Sequence, residues 1–268
     1  MSDDLVPDDL WERVAPPLPP RPPRRHRCPG RLPADDRAAL RGIVYVLRKG
    51  VSRRDVPAER VGCSGVTAWR RLRDLAEAGV WPRLHEVLLA ELRAAGLLEM
   101  DDAAIDGSHV RALKRGAHTG PSPVDRARPG SKHHVLVDAQ GIPLAVSLTG
   151  GNRNDVTQLL PLLAKIPLAA GLVGRPRHRP DVLLADRGYD HDNYRRLAWK
   201  RGVKPVIARR GVPHGSRLGV HRWVVEHTIA WLHGFRRLRI RRERRDDIQA
   251  RPQADAGTVG GAEAQPGR

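Results

Sequence analysis

The feature that most constrains the fold of this chain is a change in the spacing of its apolar residues near Gly96. Before Gly96, apolar side chains recur every three or four residues, as they do from Asp35 to Lys49, and this spacing is typical of amphipathic helices. After Gly96, apolar runs at 103–105, 133–138 and 142–149 predict buried strands, the last two joined as a β-hairpin. The chain is therefore expected to combine a helical N-terminal part with a sheet.

The later part of the chain alternates between helical and strand-like segments. Alternation of this kind favours an α/β fold, here a mixed sheet flanked by helices. We predict a helical part at 1–98, with a Pro- and Arg-rich linker at 15–33, an α/β part at 99–249 and a disordered tail at 250–268. The predicted helices of the α/β part are 155–163, 192–201 and 220–235, and its later strands are 181–185 and 204–208.

The charge balance points to a polyanionic partner. Lys and Arg number 48 against 30 Asp and Glu, so the net charge is +18. A protein with this excess gains affinity for nucleic acid through counterion release, and Arg adds bidentate contacts to phosphate and guanine.

The start of the chain has no basic segment followed by an apolar run, and no stretch approaches 18 apolar residues, so we expect a cytoplasmic protein. Cys28 and Cys63 lack the Cys-x-x-Cys spacing of a zinc or redox site.

Two consecutive helices in the N-terminal part predict a helix-turn-helix. Ser52 caps a short helix toward Arg60, Gly62 permits a turn, and Ser64 caps a longer helix through Ala78. In this arrangement the outward face of the second helix offers DNA contacts, while its apolar face packs inward. The alternative is a plain helical hairpin with a solvated basic face. The predicted DNA contacts are Arg70, Arg71 and Arg73, and the predicted core residues are Val66, Trp69, Leu72 and Leu75.

Three carboxylates are candidates for metal-assisted chemistry. Asp106 and Asp186 each follow an apolar strand and precede a Gly-containing turn, whereas Glu226 lies on the last predicted helix. Carboxylates from two strands and one helix can bind two Mg²⁺ or Mn²⁺ ions through hard oxygen ligands, which suits phosphodiester chemistry. Each residue also has an ordinary alternative: Asp106 can shape a turn, Asp186 can cap the next helix, and Glu226 can pair with Arg222.

A run of arginines follows the last predicted helix. Seven of the ten residues from Arg236 to Arg245 are Arg, so the segment could lie along a duplex backbone. The alternative is a solvated element with a charged face. The predicted DNA contacts in and near this run are Arg236, Arg237, Arg241 and Arg242, and Lys132 near the hairpin start is a further candidate.

Several strings in the chain resemble bacterial insertion-sequence transposases of the Asp-Asp-Glu (DDE) type, whose catalytic domain has a ribonuclease H-like fold. The resemblance extends over residues 5 to 249. It rests on the order and content of VSRRDVP at 51–57, IDGSH at 105–109, GGNRND at 150–155, ADRGYD at 185–190 and RWVVE at 222–226.

The resemblance implies a role for each candidate carboxylate. In the family, the first Asp lies on the first strand, the second on the fourth strand and the Glu on a later helix, which implies Asp106, Asp186 and Glu226 as catalytic and metal-binding residues. The family pattern Tyr-x2-Arg-x3-Glu-x6-Lys is matched at Arg222 and Glu226. It is not matched at Gly219 and His233, which replace the Tyr and the DNA-gripping Lys. Arg222 and His233 are further predicted DNA contacts.

The resemblance also implies the reaction. A DDE transposase hydrolyses DNA at the transposon ends and joins the freed 3′-hydroxyls to target DNA, using two divalent ions. Terminal inverted repeats and target DNA are then the partners, a homodimer on DNA is expected, and the bacterial protein associates with the nucleoid when bound.

Two other functions stay open: a catalytically impaired, decayed transposase or DNA-binding repressor, and a nuclease that cuts without joining. The tail at 250–268 has a single Val and neither Leu nor Ile, whereas resembling proteins continue with an apolar helix, so we expect a frameshifted ending.

Overall fold

The structure is a computed structural model that describes residues 4–21, 27, 32–168, 177–211 and 218–245, with only the backbone described for 218–222. Part of the predicted linker, including Cys28, and the whole predicted tail lie outside these residues. Five helices form the N-terminal part: α1 Asp8–Val14, α2 Asp36–Lys49, α3 Ala58–Val61, α4 Gly65–Glu77 and α5 Val80–Ala94.

Capping side chains explain where these helices begin and end. Asp35 accepts a hydrogen bond from the Ala38 N–H at the start of α2, and Gly50 ends that helix in the left-handed conformation with φ of 67°. Ser64 accepts from the Thr67 N–H at the start of α4. These predicted boundaries are confirmed within one residue. The helix predicted from Ser52 to Arg60 is instead a 3-10 turn at Arg53–Asp55 followed by the separate α3.

The predicted inward face of α4 is partly wrong. Val66 is 45% exposed, whereas Ala68 and Leu75 are buried. Ala68 packs with Ile43 of α2 and with Val56 and Val61 in a small apolar cluster. The helix is therefore turned so that small side chains meet α2, which lets the two helices approach closely.

A seven-stranded mixed sheet follows the helices, and its order is β2-β3-β1-β5-β6, with β4 beside β3 and β7 beside β1. Pairing is antiparallel between β1, β3 and β4 and parallel between β1, β5 and β6. The predicted mixed sheet flanked by helices is confirmed. The strands are β1 Asp102–Ala112, β2 Gly120–Pro121, β3 Pro129–Asp138, β4 Pro143–Gly150, β5 Val182–Ala185, β6 Lys204–Ile207 and β7 Ile240–Arg241.

The strand β1 is longer than its apolar run predicts. It continues through Asp106 to Ala112, because β3 pairs with it in register from Asp138 to Gly130. Asp106 therefore lies in the middle of a strand, and the predicted turn at this residue is absent from the described β1.

Helices cover both faces of the sheet. One face carries Ile105, Leu136 and Leu183, which pack beneath α6 Leu159–Ala164 and α7 Asp192–Lys200. The other face carries Ala104, Val135 and Leu184, which pack beneath α8 Leu218–Gly234. Alternate residues of each strand thus feed two separate cores, as expected for a sheet buried on both sides.

The N-terminal helices contact the sheet in two places. Leu89 of α5 is 1% exposed and belongs to the same apolar cluster as Ile105. After α8, the chain passes back over the helices, where the Arg237 N–H donates to the Leu47 carbonyl oxygen, before β7 joins the sheet. No helix within the described residues has the length and apolar character needed to cross a membrane.

Candidate active site

Two of the predicted catalytic carboxylates lie at the same level of two neighbouring strands. Ala104 of β1 pairs in parallel register with Leu184 of β5. Asp106 and Asp186 each follow two residues later, Asp106 within β1 and Asp186 immediately after the end of β5. Because residues two apart on a strand face the same side, Asp106 belongs to the face of the sheet that α8 covers.

A glycine amide orients each of these carboxylates. The Gly107 N–H donates to Asp106 Oδ1 at 2.7 Å, and the Gly188 N–H donates to Asp186 Oδ1 at 2.8 Å. The second bond begins the 3-10 turn Arg187–Tyr189, so the capping role considered for Asp186 is present in the structure. A cap that fixes the carboxylate direction is compatible with a catalytic role.

Glu226 lies on α8, above the strands that carry the two aspartates. Its neighbour Val225 is fully buried in the cluster with Ala104 and Leu184, whereas Glu226 is exposed. Within the described part of the chain, no three His, Cys, Asp or Glu side chains form a group that could hold a metal ion. The donor chemistry nevertheless suits Mg²⁺ or Mn²⁺, since carboxylate oxygens are the ligands that hard cations prefer.

The end of α8 reaches β1 on the same face as Asp106. The Ser108 hydroxyl lies 3.4 Å from His233 Nε2, and Ser108 is two residues beyond Asp106. Burial lowers the pKa of His233, and the positive charge of Arg239 lowers it further. His233, a predicted DNA contact, thus lies next to the strand that carries Asp106.

Sequence reasoning missed a polar cluster on the opposite face of β1. Lys132, predicted to contact DNA, has a side chain only 8% exposed, and its Nζ donates to Asp155 Oδ1 at 2.9 Å. His134 is fully buried, and its Nδ1 lies 3.6 Å from the same Asp155 oxygen. Lys132 and His134 are both on β3, two residues apart. Residues two apart on a strand share a face, and this spacing is the sequence signal that could have placed the two side chains together. Gly107 lies opposite His134 on β1.

The predicted DNA contacts of the N-terminal part differ in exposure. Arg70 is exposed on α4. Arg71 is 17% exposed and forms an ion pair with Asp36 at 2.8 Å. Arg73 pairs with Asp74 at 2.6 Å and lies over the Trp69 ring. Of the three, Arg70 is the one best placed to meet DNA, because the other two guanidinium groups are bound within the protein.

The arginine run also divides into exposed and buried members. Arg236 and Arg242 are exposed. Arg237 is 13% exposed and pairs with Glu243 at 2.7 Å. Arg241 is fully buried in β7, where its guanidinium donates to the His118 carbonyl oxygen, the Thr119 hydroxyl and the Ser131 hydroxyl. The expectation that Arg241 lies along a duplex is at odds with this burial, because its donors are already used inside the protein.

Arg222, matched to the family's arginine, lies on α8, but its side chain is outside the described part of the structure. The pairing of Arg222 with Glu226 therefore stays a prediction.

Comparison with known proteins bears on this geometry. The family model described as "Transposase DDE domain" matches residues 98–252, which is more than half of the chain. The chain belongs to the DDE transposase family. A second family model, "Putative transposase of IS4/5 family", matches residues 6–85 of this family member. The resemblance drawn from the sequence motifs is confirmed.

Two relatives from Burkholderia cepacia are similar to this member of the DDE transposase family. The putative transposase for insertion sequence element IS402 is 65% identical over 130 residues, which are 48% of this chain and 62% of the relative. The insertion element IS402 uncharacterized 16.2 kDa protein is 53% identical over 124 residues, which are 46% of this chain and 84% of the relative. The chain thus spans less than two thirds of the first relative.

Solved structures are more distant. The Mos1 strand transfer complex shares 12% identity with the chain, with a TM-score of 0.34 over 85% of this chain and 71% of that chain. The Mos1 mariner paired end complex with Mn shares 14% identity, with a TM-score of 0.27 over 81% and 79%. These scores are too low to equate the folds in detail.

Proposed function

We propose that the chain is a DNA transposase that cleaves at transposon ends and joins the 3′-hydroxyls to target DNA. The observation that carries this proposal is the common level of Asp106 and Asp186 on parallel neighbours β1 and β5, with Glu226 on the helix packed above them. Membership of the DDE transposase family makes phosphodiester chemistry the expected use of such carboxylates.

Each residue of the proposed site has a separate task. The glycine amides at 107 and 188 hold one oxygen of each aspartate, so these carboxylates are directed before substrate arrives. Asp106, Asp186 and Glu226 would hold two Mg²⁺ or Mn²⁺ ions, which when bound activate the attacking oxygen and stabilise the leaving oxygen. His233, held near Ser108, occupies the family's DNA-gripping Lys position as a weaker, neutral contact.

The proposed partner is double-stranded DNA, both as terminal inverted repeats and as target. Exposed arginines on two surfaces support this: Arg70 on α4, and Arg236 and Arg242 after α8. Two DNA ends must be held for coordinated joining, so we propose a homodimer on DNA. The proposed location is the bacterial cytoplasm, where the protein associates with the nucleoid when it is bound to DNA.

The test uses the purified protein, Mn²⁺ and duplex DNA that carries the inverted repeats flanking the gene. We expect Asp106→Asn, Asp186→Asn and Glu226→Gln each to reduce end cleavage by about 100-fold or more, because each replaces a charged carboxylate ligand with a neutral amide. Binding of the same DNA should change by less than about threefold, since DNA affinity rests mainly on phosphate contacts. Asp192→Asn, an exposed aspartate on α7 that pairs with Arg209, is the matched control and should cleave normally.

The outcomes separate the proposed function from its alternatives. Cleavage with strand transfer supports a transposase, and cleavage without joining supports a nuclease. Sequence-specific binding with no cleavage by the unaltered protein would contradict the proposal and favour a decayed copy or a repressor.

A further inference from the structure

An ion pair between the buried Lys132 and the partly exposed Asp155 lies directly behind the strand that carries Asp106. Lys132 Nζ donates to Asp155 Oδ1 and to the Arg153 carbonyl oxygen, both at 2.9 Å. Asp155 begins the 3-10 turn Asp155–Gln158 that leads into α6, so the pair joins β3 to the helical layer. Removing the Lys132 charge from water is costly, and Asp155, which is 31% exposed, is its carboxylate partner.

The ion pair contacts β1 at Gly107. A Cβ at this position would lie 3.0 Å from Asp155 Oδ1 and 3.2 Å from His134 Nδ1. These groups therefore occupy the space that a side chain at residue 107 would fill. The amide of the same residue donates to Asp106 Oδ1. The backbone that directs the first catalytic carboxylate is thus supported from behind by Asp155 and His134.

Tyr189 connects the same cluster to the second aspartate. Its side chain is 1% exposed, and it follows Gly188, whose amide directs Asp186. Burial raises the pKa of the Tyr189 hydroxyl well above its usual range, and the charges of Asp155, Asp106 and Asp186 raise it further. The hydroxyl of one buried tyrosine therefore lies within the electrostatic reach of all three carboxylates.

Two polar atoms of this cluster are buried without hydrogen-bond partners among the described residues. They are the Tyr189 hydroxyl and His134 Nδ1. Proteins seldom leave such atoms unsatisfied, because each one loses its hydrogen bonds to water without gaining a replacement. Unsatisfied groups gathered behind two aspartates indicate an arrangement kept for the site rather than for folding.

We propose that Asp155 is a positioning residue for Asp106 and Asp186, with Lys132 holding its carboxylate in place. Asp155 acts through Gly107 on the amide that directs Asp106. The turn that Asp155 begins also contacts the turn Arg187–Tyr189, which directs Asp186. This inference rests on the proposed function, since it assigns a role within the same site. It adds a fourth carboxylate to the three that the sequence motifs indicate.

The first experiment compares Asp155→Asn with the control Asp192→Asn. Mn²⁺ affinity is measured without DNA, from the electron paramagnetic resonance signal of unbound Mn²⁺. Cleavage is measured in single turnover at saturating DNA and Mn²⁺. We expect D155N to weaken Mn²⁺ binding and to slow cleavage by about 10-fold or more, as for other groups that orient metal ligands, with the DNA Kd unchanged. D192N should leave all three values unchanged.

A double variant separates positioning from a merely structural role. Asp155→Asn alone leaves the Lys132 charge buried and unpaired, so it should also lower the Tm. Asp155→Asn combined with Lys132→Met removes both charges and should recover the Tm. We expect cleavage and Mn²⁺ affinity to stay low in the double variant. Recovery of cleavage together with Tm would overturn the proposal, because the pair would then serve folding alone.

Gly107→Ala tests the proposed route from the other side. The added Cβ must displace Asp155 or His134, so we expect weaker Mn²⁺ binding with DNA affinity retained. Wild-type levels of Mn²⁺ binding and cleavage in both G107A and D155N would overturn the proposal. If the unaltered protein binds Mn²⁺ but cuts no DNA end, the proposed function fails, while the Mn²⁺ comparison still decides the role of Asp155. If it binds no Mn²⁺, both fail.

Discussion

Asp106 and Asp186 owe their common orientation to the residues that follow them. The Gly107 amide, one position after Asp106, donates to the Asp106 carboxylate, and the Gly188 amide, two positions after Asp186, donates to the Asp186 carboxylate. Each carboxylate is thus held by the backbone that directly follows it. Any residue except proline could donate such an amide, but Gly107 also lacks a side chain, and Asp155 and His134 occupy that space. The missing Cβ therefore serves the packing behind Asp106.

At the same scale, neighbouring arginines 241 and 242 are expected to behave differently. Arg241→Ala should lower the free energy of unfolding by about 3 kcal/mol, because it leaves buried acceptors such as the Ser131 hydroxyl and the His118 carbonyl oxygen without their donor. Arg242→Ala removes an exposed charge, so it should leave stability unchanged. Urea denaturation of the two variants measures this difference, and equal losses of stability would count against the burial of Arg241.

The same two variants give opposite expectations for DNA. Arg242→Ala should reduce the slope of log affinity against log salt by about 0.9, the value for one phosphate contact. Arg241→Ala should leave that slope unchanged in the folded protein. Binding to arbitrary duplex DNA at several salt concentrations measures both slopes.

The contacts of a single residue could be predicted from the sequence when its partners lie close to it in the chain. The caps Asp35 and Ser64 were predictable because the amides they bind lie three residues away. The burial of Arg241 was not, because its acceptors at His118 and Ser131 are more than a hundred residues distant in the chain.

Among the elements, the segment after α8 has the most unexpected course. It lies against the N-terminal helices, where Glu243 accepts from Arg53 at 2.6 Å and from Arg237 at 2.7 Å. A pocket between these parts is lined by Trp69 and Leu238, among others, and Arg53 lies 4.3 Å from the centre of the Trp69 ring. Part of the arginine run thus joins the helices to the sheet instead of facing solvent.

Glu243 is the acidic centre of this junction, and its removal should loosen it. Burial alone would raise the pKa of Glu243, but the hydrogen bond from Arg237 and the charge and hydrogen bond of Arg53 outweigh burial and lower it. A lowered pKa means that the stabilisation is complete above the ordinary pKa near 4.5 and is lost as the pH falls through the folded value. We therefore expect Glu243→Gln to lose about 1–3 kcal/mol at pH 7 and less as the pH falls below 4.5.

Limited proteolysis checks where that loss occurs. In Glu243→Gln, trypsin should cut the arginine run after α8 faster than in the unaltered protein, while cleavage within the sheet stays unchanged. Glu77→Gln, which removes the more exposed partner of Arg245, is the matched control and should have a smaller effect. Equal digestion rates in all three proteins would contradict the junction.

The predicted elements were mostly right in position, and the main error concerned β1. Asp106-Gly107-Ser108 has the composition of a turn, but nine residue pairs with β3 extend the strand through it. Local composition indicates where a strand can end, whereas the pairing of a distant strand decides whether it does. The level of Asp106 beside Asp186 follows from another long-range pairing, the parallel register of β1 and β5, so the candidate site could be named from motifs but not positioned.

Over the whole molecule, some arginines are exposed and others form ion pairs or hydrogen bonds within the protein. The net charge of +18 suggested a DNA-binding surface, yet Arg71 and Arg237 form ion pairs within the protein, and Arg241 donates hydrogen bonds within it. Composition could predict the class of partner but not which arginines meet it, because that depends on where Asp36, Glu243 and buried carbonyl groups lie. The exposed members on α4 and after α8 remain the expected contacts.

The stability of the whole fold should fall in mild acid because of a buried histidine. Burial lowers the pKa of His134 to about 4; the charge of Asp155 opposes this, and the charge of Lys132 adds to it. The unfolded chain takes up a proton near pH 6.5 and the folded chain does not, so stability is complete above pH 6.5 and falls until about pH 4. His134 alone should account for about 3 kcal/mol of this loss.

Urea denaturation at pH 7.5 and pH 5 checks this expectation. His134→Gln, which cannot take up a proton in this range, should show a smaller difference between the two pH values than the unaltered protein. His178→Gln is the control, on a histidine that is not buried. An undiminished difference in His134→Gln would contradict the assignment.

The pairing of β7 with the far end of β1 gives the protein a mechanical link. Ile240 and Arg241 lie beside Arg111 and Ala112, while residue 237 is bonded to the end of α2. A duplex that tilts the N-terminal helices would therefore pull on the strand bearing Asp106 through residues 237–241. Docking of DNA on those helices would then be transmitted as strain to the proposed active site.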